Sequence, residues 1–165
     1  AYQSRGLGDV YKRQELSLFD MASVQSIDVP DANGENVPHN LYYIIARDGI
    51  KENPSIVDSV YVTYEGKLTN GTTFDKINFP IWLDLTNVVR GFREGVSKLI
   101  PGIYSENSDG TIEYSSFGVG IFFFPSGLGY FESSSPGIPE YSPLVFSVKL
   151  MTFNKADHDL SLIHI

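Results

Sequence analysis

Covalent catalysis needs nucleophiles, proton shuttles or metal ligands, and this chain holds few of them in usable arrangements. It has no cysteine, which excludes disulfides, thiolate catalysis and cysteine-bound zinc. The three histidines, His39, His158 and His164, fall in a stretch that reads as linker and in the terminal tail, so no histidine triad or histidine metal site is expected. Gly118-x-Gly120 and Gly127-x-Gly129 open no helix and are followed by no Gly-Lys-Ser/Thr, so a phosphate loop is not expected. Glu106, Asp109 and Glu113 lack the spacing of hard-metal or glycosidase carboxylates and read as a solvated loop. No metal and no cofactor is expected. What remains is a set of aromatic and aliphatic side chains with one acid, Asp75, among them. Such a set suits uptake of an apolar ligand, or a reaction that needs only desolvation and shape.

The elements that must position these residues follow from periodicity. Residues 58–68 (DSVYVTYEGKL) alternate, with Val60, Val62 and Tyr64 on one face. Asn70-Gly71 is a hairpin turn signal, after which residues 72–75 begin the partner strand and residues 79–85, with the single tryptophan Trp82, form another. Residues 41–45 (LYYII), 117–124 and 143–153 (PLVFSVKLMTF) read as further strands. Residues 87–100 are the one good helix, capped by Thr86 or Asn87, with Val88, Val89, Phe92, Val96 and Leu99 on one face. Gly91 and Gly95 inside it each cost about 1 kcal/mol of helix propensity, which close packing on a sheet would explain. Residues 104–114 read as a polar hairpin or loop and residues 125–139 as a long Gly/Ser/Pro loop, a type that is often functional. Strands separated in sequence around a single helix suggest an antiparallel α+β sheet curled over that helix.

With 165 residues, 42% of them apolar and 19% charged, the chain suits one globular domain. The net charge of −8 and the lack of a basic stripe argue against nucleic acid, and no apolar run reaches the roughly 18 residues of a membrane span. Residues 1–14 and 160–165 resemble translated adapter strings and read as non-native. Residues 15–40 read as a linker or loosely attached arm, residues 41–153 as the domain, and residues 154–165 as a tail, partly non-native.

Residues 62–68 (VTYEGKL), 70–75 (NGTTFD), 88–95 (VVRGFREG) and Ile138-Pro139 followed by 144–150 (LVFSVKL) stand in an order and spacing that resemble the FKBP domain of peptidyl-prolyl isomerases. The resemblance covers about residues 41–153. It implies an α+β fold, an antiparallel half-barrel sheet of five to six strands wrapped on one short α-helix. It also implies cis-trans isomerisation of X–Pro bonds in client proteins, by desolvation and twisting in an apolar cleft. Tyr64, Asp75, Phe92 and Tyr130 would be catalytic. Phe74, Phe79, Ile81, Val88, Val89, Ile138 and Phe146 would bind substrate, with Phe79 at the rim. Partners would be proline-containing polypeptide clients and macrolide inhibitors. The protein would be a bacterial, monomeric folding helper placed outside the cytoplasm, periplasmic or lipid-anchored.

On pattern alone, Phe74, Phe92 and Phe146 read as core, Tyr64 as either core or ligand contact, and Asp75 as a turn former. Some positions depart from the family. Phe92 stands where tryptophan is usual and Ile81 where an aromatic is common. Phe131 follows Tyr130 where glycine is usual, and is expected to reshape the loop or fill the cleft. The stretch after Asp75 is short, so its usual basic partner is expected to be missing, and residues 104–116 are expected to extend a hairpin. These departures leave open a non-catalytic binding or chaperone module of the same fold. An unrelated sugar- or peptide-binding β-sandwich would need accidental motif matches.

Overall fold

The computed structural model describes residues 24–30 and 37–156. The turn at Asn70-Gly71 fixes the first hairpin. Gly71 takes φ +90°, which a side chain would disfavour, and the Leu68 and Thr72 backbones close the turn with an N–H···O bond of 2.9 Å. This joins β3 (Ser59–Leu68) to β4 (Thr73–Asp84). The two short strands expected at 72–75 and 79–85 are one strand. Val62 faces Ile81 but Tyr64 faces Ile77, so residues 78–80 bulge from the ladder. The bulge takes up extra residues and accommodates Pro80, which has no N–H to pair.

Among the described residues six strands form one antiparallel sheet, in the order β1-β2-β7-β8-β3-β4. The others are β1 (Val24–Pro30), β2 (Pro38–Arg47), β7 (Gly118–Phe124) and β8 (Leu144–Asn154). A separate hairpin pairs β5 (Ile103–Glu106) with β6 (Ile112–Ser115), as the polar stretch suggested. Residues 24–30, read from sequence as part of an arm, are an edge strand paired along β2. Val29 is only 3% exposed and Ile27 packs on the core; this short alternation lies between polar residues and prolines. His39, expected in a linker, sits in β2 opposite Val29.

The helix α1 spans only Arg90–Val96. Residues 85–87 make a 3-10 turn capped by Asp84, which accepts from the Thr86 N–H at 2.9 Å. Val88 and Val89 are extended, and Val89 takes the N-cap position without a side-chain cap. The expected caps Thr86 and Asn87 therefore lie before the helix. Phe92, Val96 and Leu99 point into the core. α1 packs on β7, β2 and β8, so closely that a Cβ at Gly91 or Gly95 would collide with the ring of Phe124 or Phe122. The inner face of β8 supplies Leu144, Phe146, Val148 and Leu150. Asp58, itself buried, fastens the end of the sheet: its carboxylate accepts from the Ser55 N–H at 2.7 Å and the Ala156 N–H at 2.8 Å. No helix among the described residues is long and apolar enough to cross a membrane.

Candidate active site

A cavity of about 230 Å³ opens between β3, β4, β8 and the start of α1. It is lined by Tyr64, Phe74, Asp75, Leu83, Asn87, Val88, Val89, Phe92, Tyr130 and Phe146. Each element contributes by a local rule. Alternation brings Tyr64 to the inner side of β3. The extended residues before α1 bring Val88 and Val89 to the opening, and the first turn of α1 sets Phe92 beneath it.

Phe146 is the hub of the site. Its ring meets Phe92 at 5.1 Å and Phe74 at 5.5 Å, both edge to face, and stacks on Phe124 at 5.8 Å. Tyr64 meets Phe92 edge to face at 5.6 Å. Edge-to-face aromatic contacts add about 0.5–1.5 kcal/mol each beyond area burial, so the rings brace one another. Phe92 and Phe146 are 3% and 5% exposed, hence floor and rear wall rather than rim. The bowl also depends on Gly66, where a Cβ would run into the rings of Phe74 and Phe146.

The single acid is oriented. Tyr64 donates its hydroxyl to Asp75 Oδ2 at 2.7 Å. Burial, and then the neighbouring carboxylate, push the Tyr64 hydroxyl well above its usual range, so it remains a donor at any physiological pH. Among the described residues no lysine or arginine forms an ion pair with Asp75. No group of three or more metal-ligating side chains occurs among them either.

Of the residues singled out in the sequence, Tyr64, Phe74, Asp75, Val88, Val89, Phe92, Tyr130 and Phe146 line this one cavity. Phe79, Ile81 and Ile138 do not. Phe79 rides the β4 bulge and is 82% exposed, Ile81 pairs with Val62 farther along the sheet, and Ile138 is buried in the core. Leu83 and Asn87 complete the lining and were not anticipated. Leu83 shares a face with Ile81 two residues away, so alternation marks the face but not which residue reaches the cavity.

Phe131 does not fill the cleft. It takes φ +51°, the left-handed conformation that glycine enters freely. Its ring turns to Tyr141, at 5.4 Å. The loop is pinned by the Phe131 N–H to the Ser126 carbonyl at 2.9 Å and the Tyr141 N–H to the Phe131 carbonyl at 2.7 Å.

An aromatic cleft between a half-barrel sheet and a single short helix, with one carboxylate in its lining, defines an apolar binding site. Comparison with known proteins agrees. Residues 51–106 match the family described as FKBP-type peptidyl-prolyl cis-trans isomerase. The chain is 33% identical over 114 residues to FK506-binding protein 1 of Dictyostelium discoideum, covering 66% of this chain and 94% of that protein. It is 30% identical over 125 residues to the peptidyl-prolyl cis-trans isomerase Mip of Coxiella burnetii, covering 73% of this chain and 48% of that protein. The crystal structure of FkpA from Escherichia coli superposes with a TM-score of 0.63 at 26% identity, over 94% of this chain and 62% of that one. The chain belongs to the FKBP-type peptidyl-prolyl cis-trans isomerase family. It spans about half or less of the length of its longer bacterial relatives.

Proposed function

We propose that this chain is a peptidyl-prolyl cis-trans isomerase acting on X–Pro bonds of client polypeptides. The observation that carries this reading is the convergence of Tyr64, Phe74, Asp75, Phe92 and Phe146 on one cavity. Rotation about the amide faces a barrier of about 18–20 kcal/mol, because resonance holds it planar. Water bonded to the amide stabilises that charge-separated planar form. A proline ring seated on Phe92, between Tyr64, Phe74 and Phe146, leaves that water behind, and the twisted amide becomes relatively more favourable. The Val89 N–H, at the residue before α1, holds one substrate carbonyl and the Tyr130 hydroxyl another. Asp75, steadied by Tyr64, is the polar group beside the twisting bond. No bond is made or broken, so no nucleophile is required.

Phe131, whose ring packs on Tyr141, leaves the cleft open, which favours catalysis over a non-catalytic module. The same cleft would admit macrolide inhibitors. We read residues 41–153 as the domain core with residues 24–30 added at its edge, a monomer in a bacterium, and outside the cytoplasm, periplasmic or lipid-anchored, as the family resemblance implies. The test is cis-to-trans exchange of a short Leu-Pro peptide. Wild-type protein should accelerate exchange, and Asp75→Ala and Phe92→Leu should each reduce the effect while the fold persists. A folded wild-type protein without acceleration would overturn the reading.

A further inference from the structure

Two turns of this chain are built alike, and together they mark a site of chemical modification outside the cleft. In the β3–β4 turn the Gly71 N–H donates to the Leu68 carbonyl and the Leu68 N–H to the Thr72 carbonyl, both at 2.9 Å. In the β5–β6 turn the Gly110 N–H donates to the Asn107 carbonyl at 2.9 Å and the Asn107 N–H to the Thr111 carbonyl at 2.8 Å. Gly71 and Gly110 are left-handed, at φ +90° and +84°. The Thr72 N–H donates to Asn70 Oδ1 and the Thr111 N–H to Asp109 Oδ1, each at 2.9 Å. The side-chain acceptor is an amide in the first turn and a carboxylate in the second.

An asparagine before glycine is open to attack by the following backbone nitrogen, because glycine puts no side chain in the way. The Gly71 nitrogen would bond to Asn70 Cγ as the Cγ–Nδ2 bond breaks. The Gly71 N–H proton passes by way of water to Nδ2, which leaves as ammonia. Water then opens the cyclic imide at either carbonyl, giving aspartate or isoaspartate. Asn70, Gly71 and Thr72 are exposed, so water has access.

The closed turn opposes the first step. The attacking nitrogen must shed a proton that the Leu68 carbonyl holds, and Asn70 Oδ1 is held by the Thr72 N–H. The backbone is also turned away. Neither Thr69 nor Asn70 has a positive φ, so this hydrogen-bonded turn is type I with Asn70 third, where ψ is about 0°. Ring closure needs Asn70 Cβ and the Gly71 nitrogen eclipsed about the Cα–C bond, far from that ψ.

We propose that Asn70 is a deamidation site gated by the fold. It stays asparagine while the β3–β4 hairpin is closed and reacts when the hairpin opens. The two products differ in consequence. Aspartate at this position fits, since Asp109 shows a carboxylate accepting from the matching N–H in a turn of the same build. Isoaspartate routes the main chain through the former side chain and lengthens it by one atom. That displaces the Gly71 N–H from Leu68, and with it the register of the strands that carry Tyr64 and Asp75.

Trypsin cleavage after Lys67 and Lys76 isolates residues 68–76, in which Asn70 is the one asparagine. Its mass change is thus read apart from that of Asn33-Gly34. Whole protein is held at one mildly alkaline pH, folded in buffer and unfolded in urea, with a synthetic peptide of residues 67–76 in each solvent as the open reference. Scaled to that peptide, Asn70 in the folded protein should deamidate at least about tenfold more slowly than in the unfolded chain, the factor that opening two hydrogen bonds implies. Equal or faster loss in the folded protein would overturn the gating, and an unfolded chain that keeps Asn70 intact would overturn the site. Asn70→Asp should match wild type in urea midpoint, whereas the isoaspartate fraction, separated by chromatography and refolded, should fall below it. An isoaspartate fraction as stable as wild type would overturn the consequence assigned to that product. None of these readouts uses peptide exchange, so the outcome is independent of the isomerase reading.

Discussion

The Tyr64 hydroxyl donates to Asp75 Oδ2 at 2.7 Å, tying β3 to β4 at the mouth of the cleft. Burial and the carboxylate together raise the Tyr64 hydroxyl well above its ordinary range. In an unfolded chain a tyrosine ionises near pH 10. The stability drawn from this bond is therefore complete below about pH 10, and is lost as the pH climbs from there toward the raised folded value, because the unfolded chain releases its proton first. Urea midpoints at pH 7 and pH 11 should show a steeper alkaline loss in wild type than in Tyr64→Phe. Equal losses would show that the bond contributes nothing to the folded state.

Phe92→Leu removes the flat ring from the floor and keeps most of the apolar volume. The stability cost should be about 1–1.5 kcal/mol, as for other roughly volume-conserving exchanges. The exchange rate of a Leu-Pro peptide should fall far more than that cost implies, because the edge-to-face contacts of Phe92 with Tyr64 and Phe146 shape the seat for the proline. Thermal unfolding alongside peptide exchange separates the two effects.

Phe131→Gly sets two effects of similar size against each other. Glycine relieves about 1–2 kcal/mol of left-handed backbone cost, and loss of the ring contact with Tyr141 removes about 0.5–1.5 kcal/mol. Stability should change by less than about 1 kcal/mol, and peptide exchange should stay unchanged, since Phe131 is absent from the cavity lining. A severalfold rise in activity would show that Phe131 obstructs the cleft.

Gly91→Ala should destabilise despite its gain in helix propensity. The gain is about 1 kcal/mol, whereas the new methyl collides with the Phe124 ring, and overpacking a fitted core costs about 1–3 kcal/mol. The urea midpoint should fall, and Gly95→Ala, facing Phe122, should behave alike.

Strand alternation and the Asn70-Gly71 turn made β3, the start of β4 and β8 legible in the sequence, and with them Tyr64, Phe74, Asp75 and Phe146. The helix start was less legible. Val88, Val89 and Phe92 repeat at helical spacing, yet the 3-10 turn at 85–87 leaves the two valines extended at the cleft. The β4 bulge has no signature beyond Pro80, so alternation could not choose between Ile81 and Leu83 as the wall. For Phe131, side-chain volume suggested a plug, but the sign of φ decides where the ring goes.

β8 lies between β7 and β3, and it is the strand that joins β1-β2-β7 to β3-β4. During synthesis these two ribbons emerge first and have no direct seam between them. The bowl is incomplete until Phe146 arrives, and the residues it must meet precede it by 54 or more positions where they lie on α1, β3 and β4. Pairings so distant along the chain form slowly, and the waiting edges of β3 and β7 are sites for wrong partners. A protein whose proposed work is to hasten the folding of others would itself be a late assembler, open to misassociation until its final strand is in place.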